Sequence, residues 1–150
     1  MSTVAVLVPP SSAQAAELSQ QLLAQDETNT SALFLLSRSL TMLGRNNDAI
    51  KALEKAVKSQ PDDIDVFNLL GHLLYHSGRH EDAMDAFNRC LELKPDHVEA
   101  MRQMANLMLG SDQANALHLF KRAYALAPDH GDLLFDYAWA MTYSVGDTDM

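Results

Sequence analysis

Cysteine, glycine, proline and basic side chains are all scarce in this chain of 150 residues. Its one cysteine, Cys90, cannot form an internal disulfide, which favours the cytoplasm and leaves the periplasm as the alternative. Lys and Arg number 11 against 20 Asp and Glu, and the net charge of −9 disfavours binding to the phosphates of nucleic acid. No apolar run approaches the length of a membrane span, so we expect no membrane insertion.

The amino-terminal segment has some features of a secretory signal. A short apolar run from Val4 to Val8 precedes Ala13-Gln14-Ala15, a triplet typical of signal-peptidase sites. A secretory signal also needs a basic start and a longer apolar core, and this segment has neither. We therefore interpret residues 1–12 as a flexible leader and keep export as the lesser alternative.

Ala, Leu and Met are abundant, and they favour helices because side chains without a branch at Cβ lose little freedom there. Three prolines divide the helical pattern: Pro61 and Pro95 are 34 residues apart, and Pro128 follows after 33 more. Each proline ends one amphipathic stretch, and the polar residues after it can cap the next helix. The spacing predicts a helix pair that is repeated along the chain.

The positions in front of each proline carry the same kinds of side chain. A small residue lies five positions before the proline, a large apolar residue lies eight before it, and an alanine lies twelve before it. Small residues let two helices approach closely, and the large side chain fills the space beside them. Gly44 and Gly78 mark the turn inside two of the pairs, where glycine can take the left-handed conformation that ends a helix. The matching sets are Ala49, Leu53 and Ala56; Ala83, Phe87 and Cys90; and Ala116, Phe120 and Ala123.

The clearest copy runs from Phe67 through Leu70-Gly71, Leu74 and Gly78 to Pro95. With these residues the chain resembles a bacterial tetratricopeptide repeat (TPR) protein. The resemblance implies an all-α fold, a right-handed superhelical solenoid of antiparallel helix pairs. The predicted organisation is a flexible leader (1–12), a TPR domain (13–144) and a flexible tail (145–150). Within the domain we expect a half repeat (13–29), three repeats (30–63, 64–97 and 98–130) and a C-terminal helix (131–144).

The resemblance also implies where a partner would bind. In TPR proteins the first helix of each pair lines a concave groove, and peptides contact fixed positions of that helix. At these positions amides can pair with a peptide backbone, guanidinium groups can hold a carboxylate by two contacts, and aromatic rings can anchor apolar side chains. The predicted partner-binding residues are Phe34, Arg38, Asn68, His72, Tyr75, Arg102, Asn106, Phe135 and Trp139.

Two other interpretations of these residues stay open. Phe34 can instead pack between adjacent helices, since apolar helix positions usually belong to the core. The polar residues of the set can instead be ordinary solvated surface. The acidic residues Asp132 and Asp136 disfavour one known subtype, the basic clamp by which chaperone-binding TPR domains hold a C-terminal carboxylate.

Catalytic and metal-binding patterns are weak. His72 and His76 are spaced so that they could share a metal on one helix, but Gly78 interrupts the helix before His80. Cys90 occupies the small packing position, which indicates a buried residue and not a nucleophile. The chain has no glycine-rich phosphate loop and no nucleophile motif. We therefore expect no enzyme activity, no metal site and no cofactor.

The sequence thus predicts a protein-interaction module, a scaffold or assembly factor that binds a segment of a partner protein or peptide in its groove. A first alternative is an accessory TPR region of a larger enzyme, or of a machine for cytochrome c maturation, pilus assembly or secretion. A second is a self-assembling scaffold, a homo-oligomer formed through the aromatic-rich C-terminal helix.

Overall fold

The computed structural model describes residues 9–146, and side chains as far as residue 144. This part of the chain contains eight α-helices and no strand, which confirms the all-α prediction. The predicted leader and tail lie largely outside the described residues, and the predicted domain boundaries stay a prediction. The helices are α1 (Ser12–Gln25), α2 (Thr30–Met42), α3 (Asn46–Ser59), α4 (Ile64–His76), α5 (His80–Leu93), α6 (Val98–Met108), α7 (Gln113–Leu126) and α8 (Gly131–Gly146).

The helices form two compact units, one ending at Pro61 and the other beginning at Asp62. In the first unit α2 packs against both α1 and α3. In the second unit α4 packs against α5, α6 packs against α5 and α7, and α8 packs chiefly against α7. Neighbours along the chain are therefore neighbours within each unit, as a helical repeat requires.

Close contact between paired helices depends on the small and large residues that recur in the sequence. All three sets found there are fully buried, and Phe87 and Phe120 expose none of their surface. A Cβ atom added at Gly71 of α4 would lie 2.8 Å from Cε1 of Phe87 on α5. The α4–α5 pair thus approaches so closely that only glycine fits opposite the ring.

Two of the turns within pairs use glycine in the left-handed region. Gly44 has φ 76° and Gly78 has φ 77°. In each turn the residue after the glycine donates its N–H to a carbonyl near the end of the preceding helix, from Arg45 to Leu40 and from Arg79 to Leu74. The third turn, between Met108 and Gln113, is one residue longer than the other two, and here Asp112 caps α7 by accepting from the N–H of Asn115.

Polar side chains cap the helices that follow the three prolines. Asp63 accepts hydrogen bonds from the N–H groups of Asp65 and Val66 at the start of α4. His97 Nδ1 accepts from Ala100 N–H at 3.1 Å on α6, and His130 Nδ1 accepts in the same way on α8. An imidazole nitrogen accepts only when it carries no hydrogen, so each of these two hydrogen bonds requires the tautomer with its hydrogen on Nε2.

Two further observations concern membrane insertion and a nucleophilic cysteine, neither of which the sequence favours. No helix in the described part of the chain is long and apolar enough to cross a membrane. Cys90 is fully buried, and burial, with a contribution from Asp65, raises the pKa of its thiol to about 11. The thiol therefore stays protonated near neutral pH and packs as a small apolar group.

The contact between Gly71 and Phe87 generates the first prediction. Gly71→Val should destabilise the protein by about 2 kcal/mol, because overpacking a tight contact forces the Phe87 ring out of its site. Urea denaturation followed by circular dichroism measures this loss. Gly110→Val is the matched control, since a Cβ at Gly110 meets nothing within 4 Å. Equal effects of the two substitutions would contradict the assigned role of Gly71.

Candidate partner-binding face

Side chains from α4, α6 and α8 meet in one polar group in the second unit. Arg102 on α6 donates from Nη1 to Oδ2 of Asp136 on α8 at 2.5 Å. Asn106 donates from Nδ2 to the same oxygen at 2.9 Å. The charges of Glu99 and Arg102 also act on His72 of α4. We call His72, Glu99, Arg102, Asn106 and Asp136 the central cluster.

Arg102 is held by carboxylates of its own chain. Its Nη2 and Nε atoms donate to the two carboxylate oxygens of Glu99, at 2.8 and 3.1 Å, while Nη1 donates to Asp136. The hydrogen bonds with Glu99 and then Asp136 raise the pKa of Arg102 above its ordinary value, against the effect of burial. The two-pronged contact that the sequence suggests for a partner's carboxylate is thus made within the molecule.

Glu99 and Asp136 carry two negative charges, against one positive charge on the guanidinium of Arg102 that lies between them. Burial would raise the pKa of Glu99, but hydrogen bonds from Arg102 and from Gln103, whose Nε2 donates at 2.8 Å, lower it overall. Glu99 therefore stays ionised at neutral pH. The central cluster carries a net negative charge when His72 is neutral, because two carboxylates face one guanidinium.

His72 and His76 lie one turn apart on α4, and their Nε2 atoms are 3.1 Å apart. Partial desolvation lowers the pKa of His72, and the charges of His76 and Arg102 add to this while Glu99 opposes it. The ring of His76 also lies edge-on to Tyr75, which in turn stacks on His80 with 5.6 Å between ring centroids. This end of α4 therefore presents a compact group of aromatic and imidazole rings.

Two aromatic side chains of α8 lie open to solvent. Phe135 is 71% exposed and Trp139 is 61% exposed. Trp139 also lines a shallow pocket of about 230 Å³ with Leu109, Gly110 and Tyr143. Large exposed aromatic groups beside a pocket are unusual on a surface that contacts only water.

The nine predicted partner-binding residues do not all lie in one unit. Phe34, half-buried, and Arg38, exposed, lie on α2 of the first unit. The other seven lie on α4, α6 and α8 of the second unit, where Asn68 and Tyr75 are half-buried. Of these seven, the structure joins His72, Arg102 and Asn106 in the central cluster.

The predicted set does not include Glu99 and Asp136, which accept hydrogen bonds from Arg102, or Gln103, which donates to Glu99. One signal for the pair was available in the sequence. Arg102 and Asp136 have opposite charges and are 34 residues apart, which is about one repeat, so they lie at similar positions of successive first helices. The pocket residue Tyr143 had no such signal, because it lies beyond the helix positions that contact peptides in TPR proteins.

No group of three or more potential metal ligands lies together among the residues that the structure describes.

Comparison with known proteins identifies the family of the chain. Family models described as tetratricopeptide repeat match residues 12–73 and residues 64–97. The chain belongs to the tetratricopeptide repeat family. The two matches overlap at residues 64–73 and together cover α1 to α5. No curated protein gives a significant match to this TPR chain.

Solved structures share the TPR fold. MamA has a TM-score of 0.82 at 19% identity, over 89% of this chain and 78% of that one. YrrB, a TPR protein with an unusual peptide-binding site, has a TM-score of 0.75 at 22% identity, over 83% of this chain and 64% of that one. A thermophilic TPR protein of Thermus thermophilus has a TM-score of 0.72 at 22% identity, over 87% of this chain and 73% of that one. At these identities the likeness shows the fold alone.

The contacts of Asp136 generate a prediction about this TPR protein. Asp136→Ala should lower stability by about 1–3 kcal/mol, because Arg102 and Asn106 both lose their acceptor on α8. The side chains of Arg102 and Asp136 are only 14% and 20% exposed, so water replaces the lost bonds incompletely. Chemical denaturation measures the change.

A control and a cycle make the result specific. Asp132→Ala removes an exposed carboxylate from the same helix and should have the smaller effect. In a double-mutant cycle with Arg102→Gln, the double mutant should lose less stability than the two single mutants lose together. The difference should be about 0.5 kcal/mol or more. Strictly additive losses would show that the Arg102–Asp136 contact contributes no stability.

Proposed function

We propose that this TPR protein is a non-catalytic protein-interaction module that binds a segment of a partner on its second unit. The exposure of Phe135 and Trp139 beside the pocket of Leu109 and Tyr143 carries the proposal. Buried aromatic anchors contribute most of the binding energy in many interfaces, and pockets next to them receive the partner's side chains. TPR repeats generally serve as interaction modules, which agrees with this assignment.

The charge of the face selects the chemistry of the partner. Arg102 is already neutralised, and Glu99 and Asp136 leave the central cluster net negative. Asp132 adds an exposed carboxylate at the start of α8. A partner segment that carries Lys or Arg next to apolar residues would balance the remaining negative charge, and its cations could also lie against the rings of Phe135 and Trp139. The chain's net charge of −9 favours the same kind of partner.

The structural relatives agree with a peptide ligand. YrrB, which shares the fold, is a TPR protein with a peptide-binding site. The binding face proposed here rests on the exposed aromatic residues of α8 and on the charges of the central cluster, which are features of this chain.

Selection of binding peptides from a displayed library of random sequences tests the proposal. We expect the selected peptides to be enriched in Lys or Arg next to apolar residues. Phe135→Ala combined with Trp139→Ala should weaken their binding about tenfold or more, since truncating an anchor residue commonly removes about 2 kcal/mol or more. Fluorescence titration of the selected peptides measures the affinities.

Leu126→Ala is the control, because Leu126 is 51% exposed but lies on α7. It should leave the affinity unchanged. Acidic peptides among the selected sequences, or peptide binding that survives the loss of both aromatic rings, would overturn the proposed face.

A second function, self-association through α8, is favoured by a different side of that helix. Gly71 of α4 and Ala105 of α6 are buried under their partner helices, whereas Ala138 at the matching position of α8 is exposed. Its neighbours on that side, Leu134 and Met141, are 41% and 51% exposed. A second copy of the chain can cover this apolar side of α8.

Light scattering over a range of concentrations tests self-association. We expect the average mass of the wild-type protein to rise with concentration, and Leu134→Glu to keep it monomeric because a charge cannot be buried in an apolar contact. Leu126→Glu is the matched control on α7. A wild-type protein that stays monomeric at every concentration would exclude this second function.

A further inference from the structure

We infer that His72 and His76 form a two-imidazole chelate for a borderline-soft divalent transition metal ion such as Zn²⁺, Ni²⁺ or Cu²⁺. The two residues are one turn apart on α4, and their rings lie nearly perpendicular with centroids 4.4 Å apart. The two Nε2 atoms are 3.1 Å apart, and both side chains lie at the exposed surface.

The distance between the two nitrogens matches a chelate without rearrangement of the helix. An ion bound to both at about 2.0–2.1 Å, the usual length of a zinc–imidazole bond, would form an N–metal–N angle of about 100° with the nitrogens 3.1 Å apart. That angle lies between those of square-planar or octahedral sites and the tetrahedral value. The backbone of α4 therefore already provides the spacing that the ion requires.

The same contact explains why an ion can enter. Without a metal, one Nε2 must carry a hydrogen and the other must accept it, so the two lone pairs compete for a single proton. An ion takes the place of that proton, and both rings then carry their hydrogen on Nδ1. The remaining coordination positions face solvent and are filled by water.

The type of donor decides the type of ion. Neutral imidazole suits Zn²⁺, Ni²⁺ and Cu²⁺, whereas Mg²⁺ and Ca²⁺ require oxygen ligands. Glu99 attracts a cation at this site, and the repulsion from Arg102 is reduced because its charge is paired with Glu99 and Asp136. In the part of the chain that the structure describes, His72 and His76 are also the only histidines four residues apart within one helix, since Gly78 separates His80 from α4.

Calorimetric titration of the untagged full chain with Zn²⁺ alone and with Ni²⁺ alone tests the site. We expect saturable binding of one ion, and no binding of Mg²⁺ under the same conditions. His72→Gln and His76→Gln should each weaken binding at least about tenfold, because even the loss of a residue that only orients a ligand costs that much. Circular dichroism establishes that both variants keep the wild-type helix content.

His118→Gln is the matched control, because His118 lies on α7 with no histidine four residues away. It should bind both ions as the wild type does. Paramagnetic resonance of the Cu²⁺ complex gives a second readout, in which coupling to two ring nitrogens should fall to one in either His→Gln variant of the pair. Wild-type affinity in both variants, or no saturable binding by the wild type, would overturn the inference.

Discussion

Close contact between a small residue and a large apolar side chain holds the helix pairs of this protein together. Where α4 meets α5, glycine at position 71 lies so near Phe87 that a single methyl group would collide with the ring. The same arrangement recurs with other side chains in the α2–α3 and α6–α7 pairs, and in each pair the small residues are fully buried. Since this contact sets how near the two helices lie, it also sets the spacing between successive first helices within a unit.

The central cluster is a consequence of that spacing. Repetition places similar positions of α6 and α8 side by side, and so brings Asp136 within reach of Arg102 and Asn106. The polar groups satisfy one another, and no buried side-chain nitrogen or oxygen in the described part of the chain lacks a hydrogen-bond partner. The central cluster is therefore stable without any charge from a partner. Its selectivity comes from the remaining negative charge and from the exposed rings beside it.

Helix α8 presents two different surfaces to solvent. One side carries Phe135 and Trp139 near the pocket that begins at Leu109, just after α6, and the other carries Leu134 and Met141 around Ala138. The first corresponds to positions that bind peptides in TPR proteins, and the second to positions that α5 and α7 cover on α4 and α6. The two proposed functions therefore use different side chains of one helix and can be separated by mutation.

Most of the fold could be predicted from the sequence, because helix pairs depend on local and periodic features. Proline spacing, the turn glycines and the buried small residues each act within one repeat or between neighbours, so they are visible in the order of residues. The family and the all-α class follow from these alone. The candidate site was predicted in part: the positions of Arg102, Asn106 and Trp139 on first helices followed from the repeat, but their partners did not.

The tertiary structure decided which of those side chains are free to bind. Whether Arg102 faces a ligand or its own carboxylates depends on distances of a few ångströms between α6 and α8, and repeat spacing does not resolve such distances. The approach of the His72 and His76 nitrogens likewise depends on ring rotation about side-chain bonds, which helical spacing permits but does not specify. The order of residues is enough to define the repeated framework, because packing there is periodic. Only the folded molecule decided the chemistry of its surface, because that chemistry arises where side chains from separate helices meet.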